Sequence, residues 1–172
     1  MFFEILALQA KTNPITKSCY NLKQAAFVIN IVEYFEINGI PPKDQGIVTL
    51  YMAQVLVYKY TTHQLHLENP TKGWNQLLVG TTDSMEGEER LVMYVDLVVT
   101  NEIGFVDDRG RMLVLKTRAK DTNIEYGNTK SLYQKGRRES ELLWHFNTTK
   151  SKTCRICQAV GKKHTFLVHW FV

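Results

Sequence analysis

The sequence predicts an α+β domain in which a sheet packs against one or two helices, and three observations carry that reading. Between Asn21 and Glu36 the apolar residues Leu22, Ala25, Ala26, Ile29, Val32 and Phe35 recur at three- and four-residue steps, the period of an amphipathic helix. Residues 47–60 and 91–99 are instead runs of β-branched, aromatic and aliphatic side chains that suit buried strands. The turn-forming Asp107-Asp108-Arg109-Gly110 separates 91–99 from a second candidate strand, 111–118, as in an antiparallel hairpin. With 172 residues the chain is long enough for one domain, 1–172, able to bury roughly 70% of its unfolded surface.

Taken in order, Phe2, Phe3, Ile5, Leu6 and Leu8 suit a short half-buried strand, and Asn13-Pro14 breaks it. Asn21 is placed to cap the helix over 21–36, because its side-chain oxygen can accept one of the four backbone N–H groups that a helix start leaves without partners. Gly39 and the consecutive Pro41-Pro42 make 39–44 a loop. Residues 47–60 follow as a long, largely buried strand, although an apolar run of this length also admits a helix. His63 and His66 stand three apart with no Cys, Asp or Glu completing a local metal set, and read as solvated side chains. Asn69-Pro70-Thr71-Lys72-Gly73 turns the chain into Trp74 and the apolar piece 77–79. Residues 81–90 place acids at 83, 86, 88 and 89 with no hydrophobic period, and read as an exposed acidic loop. They lack the alternating oxygen ligands and central glycine of a calcium loop. Beyond the proposed hairpin, 119–139 is polar and basic and reads as a surface loop, before a short helix over 139–147 and a last strand over 164–172.

Composition argues against disorder, with 44% hydrophobic and 22% charged residues. The first ten residues are apolar but carry Glu4, lack a basic leader and are too short for a membrane span. Three cysteines do not make a secreted disulfide framework. The net charge of +4 conceals an asymmetry: residues 1–108 hold 7 Lys/Arg against 13 Asp/Glu, and residues 109–163 hold 14 against 4. A basic back half points to an anionic partner or to the acidic half of a neighbouring copy.

Chemically capable side chains concentrate in 135–172, which contains two of the three cysteines, three of the five histidines and two of the three tryptophans. Cys154 and Cys157, three apart, with His164 and His169 have the ligand types of a zinc site, which makes zinc the one candidate cofactor. The spacing is shorter than a zinc finger requires, and in a strand the two histidines would face opposite ways. No nucleophile with an orienting base and carboxylate is visible and no phosphate-gripping glycine loop occurs, so the expectation is a protein that is not an enzyme. The stronger signal is the basic set Lys116, Arg118, Lys120, Lys130, Lys135, Arg137, Arg138, Lys150, Lys152, Arg155, Lys162 and Lys163, interleaved with Tyr126, Tyr133 and Trp144. Such a set can contact phosphates with counterion release, stack on bases, or hold anionic lipid head groups.

The segment Leu142-Leu143-Trp144-His145-Phe146-Asn147-Thr148-Thr149-Lys150 resembles the C-terminal region of rhabdovirus matrix proteins, and residues 74–80, led by Trp74, are faintly similar to a second tryptophan-led segment of that family. The resemblance implies an α+β domain with a twisted antiparallel sheet packed on helices. It also implies a viral structural protein that self-associates, binds nucleocapsid or RNA, and attaches peripherally to anionic membrane, in the host cytoplasm and the virion interior. The apolar N-terminus departs from the basic, budding-motif-bearing arm of animal-virus members. The alternative is a small RNA-binding regulator of the silencing-suppressor kind, with the Cys/His set as a zinc knuckle.

Overall fold

Asn21 starts the first helix as expected: its backbone is extended (φ −143°, ψ 103°) and its side-chain oxygen accepts the Gln24 N–H at 3.1 Å. The computed structural model, which describes residues 2–4, 10–98 and 109–127, runs this helix, α1, over Leu22–Ile37. It stops where Gly39 takes φ 95° and donates to the Glu36 carbonyl while Ile40 donates to that of Phe35, a paired closure that needs a left-handed residue.

In chain order the strands are β1 (Phe2–Glu4), β2 (Lys11–Thr12), β3 (Cys19–Tyr20), β4 (Gln45–Thr49), β5 (Leu78–Thr81), β6 (Arg90–Asp96) and β7 (Ala119–Gly127), and α1 is followed by α2 (Met52–Glu68) and α3 (Arg109–Thr117). β2 and β3 form a small antiparallel hairpin. The other five make one sheet in the order β1-β7-β6-β4-β5, and each neighbouring pair in it is parallel. Every residue of β4 is buried, as are the last five of β6, which is what a strand covered on both faces demands. One cover is α1 with Tyr58 of α2 and Trp74, packed on Ile47, Val92, Tyr94, Ile124 and Tyr126. The other joins Met112 and Leu115 of α3 with Met85 to Val48, Met93 and Val95.

The chain is thus a mixture of helix and sheet, but the expected antiparallel sheet is parallel, and two segments explain the error. Residues 47–60 are not one strand: β4 ends at Thr49, the Tyr51 carbonyl accepts the N–H groups of Gln54 and Val55, and α2 begins. Its buried residues Gln54, Val55, Tyr58 and Thr62 are at helical spacing. Residues 111–117 likewise belong to α3: Met112 and Leu115 are buried three apart, whereas Leu113 is 63% exposed. With these helices restored, β4 reaches β5 through α2 and β6 reaches β7 through α3, the crossovers that parallel neighbours require. Residues 119–127, expected as loop, form β7, whose exposed Lys120 and Asp121 disguise a buried second half. The acidic stretch is exposed at Asp83, Glu86, Glu88 and Glu89, but Thr82 and Met85 are buried and pin it down. The expected helix 139–147, the expected strand 164–172 and residues 5–8 of the expected first strand lie outside the described residues.

Candidate functional site at the carboxyl edge of the sheet

In an open parallel sheet with helices on both faces, ligands are held at the carboxyl ends of the strands, where loops and helix starts converge. Here that edge gathers Thr49 to Tyr51 after β4, Thr81 to Ser84 after β5, and Asp96 to Val98 after β6. Asp96 is fully buried. Its Oδ1 accepts from Gln24 Nε2 of α1 at 2.5 Å and from the Val98 N–H at 3.0 Å. Its Oδ2 accepts from Gln54 Nε2 at 2.7 Å and Tyr58 Oη at 2.5 Å, both on α2. Gln54 is itself set by the Asn21 N–H, which donates to its Oε1 at 2.7 Å. One carboxylate therefore ties both helices of that face to the central strand. Burial pushes the Asp96 carboxyl up to about 6, against the pull of its donors Tyr58, Val98 and Gln54. The same burial, with the Asp96 charge, raises the Tyr58 hydroxyl well above the usual phenol range. Val98, fully buried, takes φ 58°, which a β-branched residue adopts only under constraint, at a cost of roughly 1–3 kcal/mol.

Sequence reading missed this cluster, although a signal was present. Asp96 is the lone charge in the apolar run 91–99, and a buried charge must be paired or hydrogen-bonded.

On the opposite face, α3 meets the turn after β5. Arg111 Nε lies 3.5 Å from Asp83 Oδ1, a long, half-exposed pair that contributes little stability. Ser84 Oγ accepts the Thr81 N–H at 2.9 Å and donates to the Thr81 carbonyl, so this turn satisfies its own hydroxyl. Gly80 makes the closure possible: a Cβ there would stand 2.5 Å from Ser84 Oγ.

Three residues of the predicted basic set fall within the described residues. Lys116 is half-buried on α3, Lys120 is exposed on β7, and Arg118 between them folds back to donate to the Met85 carbonyl at 3.4 Å and to Thr117 Oγ1 at 3.1 Å. The structure thus joins Lys116, Arg118 and Lys120 in one helix-to-strand stretch with Arg111, which sequence reading had left out. Lys130, Lys135, Arg137, Arg138, Lys150, Lys152, Arg155, Lys162 and Lys163 lie outside the described residues, as do the zinc candidates Cys154, Cys157, His164 and His169. His63 is exposed and His66 half-buried on α2, and among the described residues no cluster of three metal-ligating side chains occurs. Among the described residues no helix is long and apolar enough to cross a membrane.

Residues 1–130 match the AAA_12 family of AAA domains. The chain belongs to that family. It is 32% identical over 136 residues to a regulator of nonsense transcripts 1 homolog from Drosophila melanogaster, covering 77% of this chain and 11% of the fly protein. A Neurospora crassa homolog of the same name is 33% identical over 142 residues, 81% of this chain and 12% of that protein. An uncharacterized ATP-dependent helicase of Methanocaldococcus jannaschii is 31% identical over 119 residues, 68% of this chain and 16% of that protein. The chain therefore spans only about an eighth of the length of these relatives.

These matches overturn three expectations. The resemblance to rhabdovirus matrix proteins rested on some ten residues around Trp144, whereas the AAA match runs through the whole sheet. The matrix and silencing-suppressor functions fall with it. So does the expectation that the protein is not an enzyme, since AAA domain relatives are named as helicases. That expectation followed from the missing glycine loop and triad. Among the described residues no complete nucleotide site is assembled. The 172 residues contain no glycine-rich phosphate loop, and the turn after β5 spends its hydroxyls on itself.

Proposed function

We propose that this chain is one parallel α/β half of a helicase-type, nucleic-acid-dependent ATPase, and that it binds the phosphates of single-stranded RNA while a separate domain supplies the nucleotide-gripping loop. The observation that carries this reading is the placement of α3, which starts at the carboxyl edge with Arg111 in its first turn and continues through Lys116 and Arg118 to the exposed Lys120 of β7. A basic ladder of this kind suits a phosphate backbone. Family membership and relatives named as helicases support the motor reading, and the small share of each relative that the chain spans supports the role of a half.

The test is fluorescence anisotropy of a labelled single-stranded RNA across a salt series. Binding is expected with log affinity falling linearly against log salt, and Arg111→Ala with Lys120→Ala is expected to reduce the slope by about one to two phosphate contacts. No binding at low salt, or binding indifferent to both substitutions, overturns the proposal.

A further inference from the structure

We infer that the outer face of α2 is an interface between two copies of this chain, packed antiparallel about a two-fold axis. A solvated helix face normally carries charge. The outward face of α2 carries Met52, Leu56, Tyr60 and Leu67, which are 54%, 60%, 69% and 61% exposed, with His63 exposed between them. At the helical rotation per residue these five fall within an arc of about 80°. Gln54, Val55, Tyr58 and Thr62 take the opposite, buried side. The only Lys, Arg, Asp or Glu on α2 are Lys59, at the margin of the stripe, and the terminal Glu68.

The stripe is complementary to itself. With the axis between residues 59 and 60, an antiparallel pairing sets Met52 against Leu67, Leu56 against His63, and Lys59 against the ring of Tyr60, a cation–π arrangement. The ends agree in charge. The tip of the β2–β3 hairpin abuts the α2 N-terminus, where Ser18 Oγ accepts the Ala53 N–H at 3.0 Å, and the exposed Lys17 precedes it. In the antiparallel pair Lys17 of each copy meets Glu68 of the other. A parallel pairing would instead bring Lys17 to Lys17. An α2 of 17 residues is about 25 Å long, which places the interface at the small end of specific ones. The expected dissociation constant is on the order of 10–100 μM.

Sedimentation velocity of the full chain over a concentration series tests this. A monomer–dimer equilibrium is expected, weakened about tenfold or more in Leu56→Glu, with circular dichroism unchanged because Leu56 is exposed. Lys17→Glu and Glu68→Lys should each weaken the dimer, and the double variant should restore it. A chain monomeric up to about 1 mM, a dimer indifferent to Leu56→Glu, or a charge swap that fails to restore association overturns the inference.

Discussion

At the scale of single residues, Asp96 concentrates the chemistry of the carboxyl edge. Four donors converge on its two oxygens, an arrangement suited to an ionised carboxylate, while full burial opposes ionisation and raises its titration to about 6. The unfolded chain loses this proton near the ordinary aspartate value. Between the two values the folded chain holds a proton that the unfolded chain has released, so this group makes stability fall as pH rises from about 4 to 6, with little further change above. Denaturant midpoints at pH 4.5 and 7.5 should therefore show a drop that is smaller in Asp96→Asn, and the Asp96 carboxyl carbon should titrate near 6 by NMR. An Asp96 titration below 4 would contradict the dominance of burial. Gly80 has a simpler role, since any side chain there collides with the Ser84 hydroxyl that closes the turn after β5.

At the scale of elements, α3 shows how a short apolar run misleads. The sequence RMLVLKTR satisfies strand composition, and in a strand Leu113 and Leu115 would share one face. In the helix they separate: Leu115 is 2% exposed against Met112 and Met85, whereas Leu113 faces water. Leu113→Asp is expected to change the unfolding free energy by less than about 0.5 kcal/mol, and Leu115→Asp to cost more than about 3 kcal/mol. Equal costs would return the segment to a strand. The α1 boundaries, by contrast, were legible because cap and terminator are local signals: Asn21 at the start, and Gly39 able to take positive φ at the end.

At the scale of the whole molecule, the parallel sheet places its most buried strands at the centre, with β4 and β6 flanked on both sides and β1 and β5 at the edges. Hydrogen exchange should follow that order, with amides of Ile47, Val48, Tyr94 and Val95 slowest and those of β5 exchanging earlier. Comparable rates across all strands would argue against a single cooperative sheet. The same architecture explains why function was hard to read. The basic residues 116, 118 and 120 were visible as charges, but their partnership with Arg111 and the turn at Asp83 exists only once α3 crosses back over the sheet.

By itself the sequence determined α1 and its caps, the existence of β6, the loop character around Pro41-Pro42, and the asymmetry of charge. These depend on residues within a few positions of one another, so periodicity and turn chemistry suffice. Tertiary structure alone decided whether 47–60 and 111–118 were strand or helix, because an apolar run buried on one side satisfies either period until its neighbours choose. With that choice came the parallel sense of the sheet and the carboxyl edge. It also decided the Asp96 cluster, whose donors Gln24, Gln54 and Tyr58 lie 38 to 72 residues away in sequence and meet the carboxylate only when both helices dock on β6.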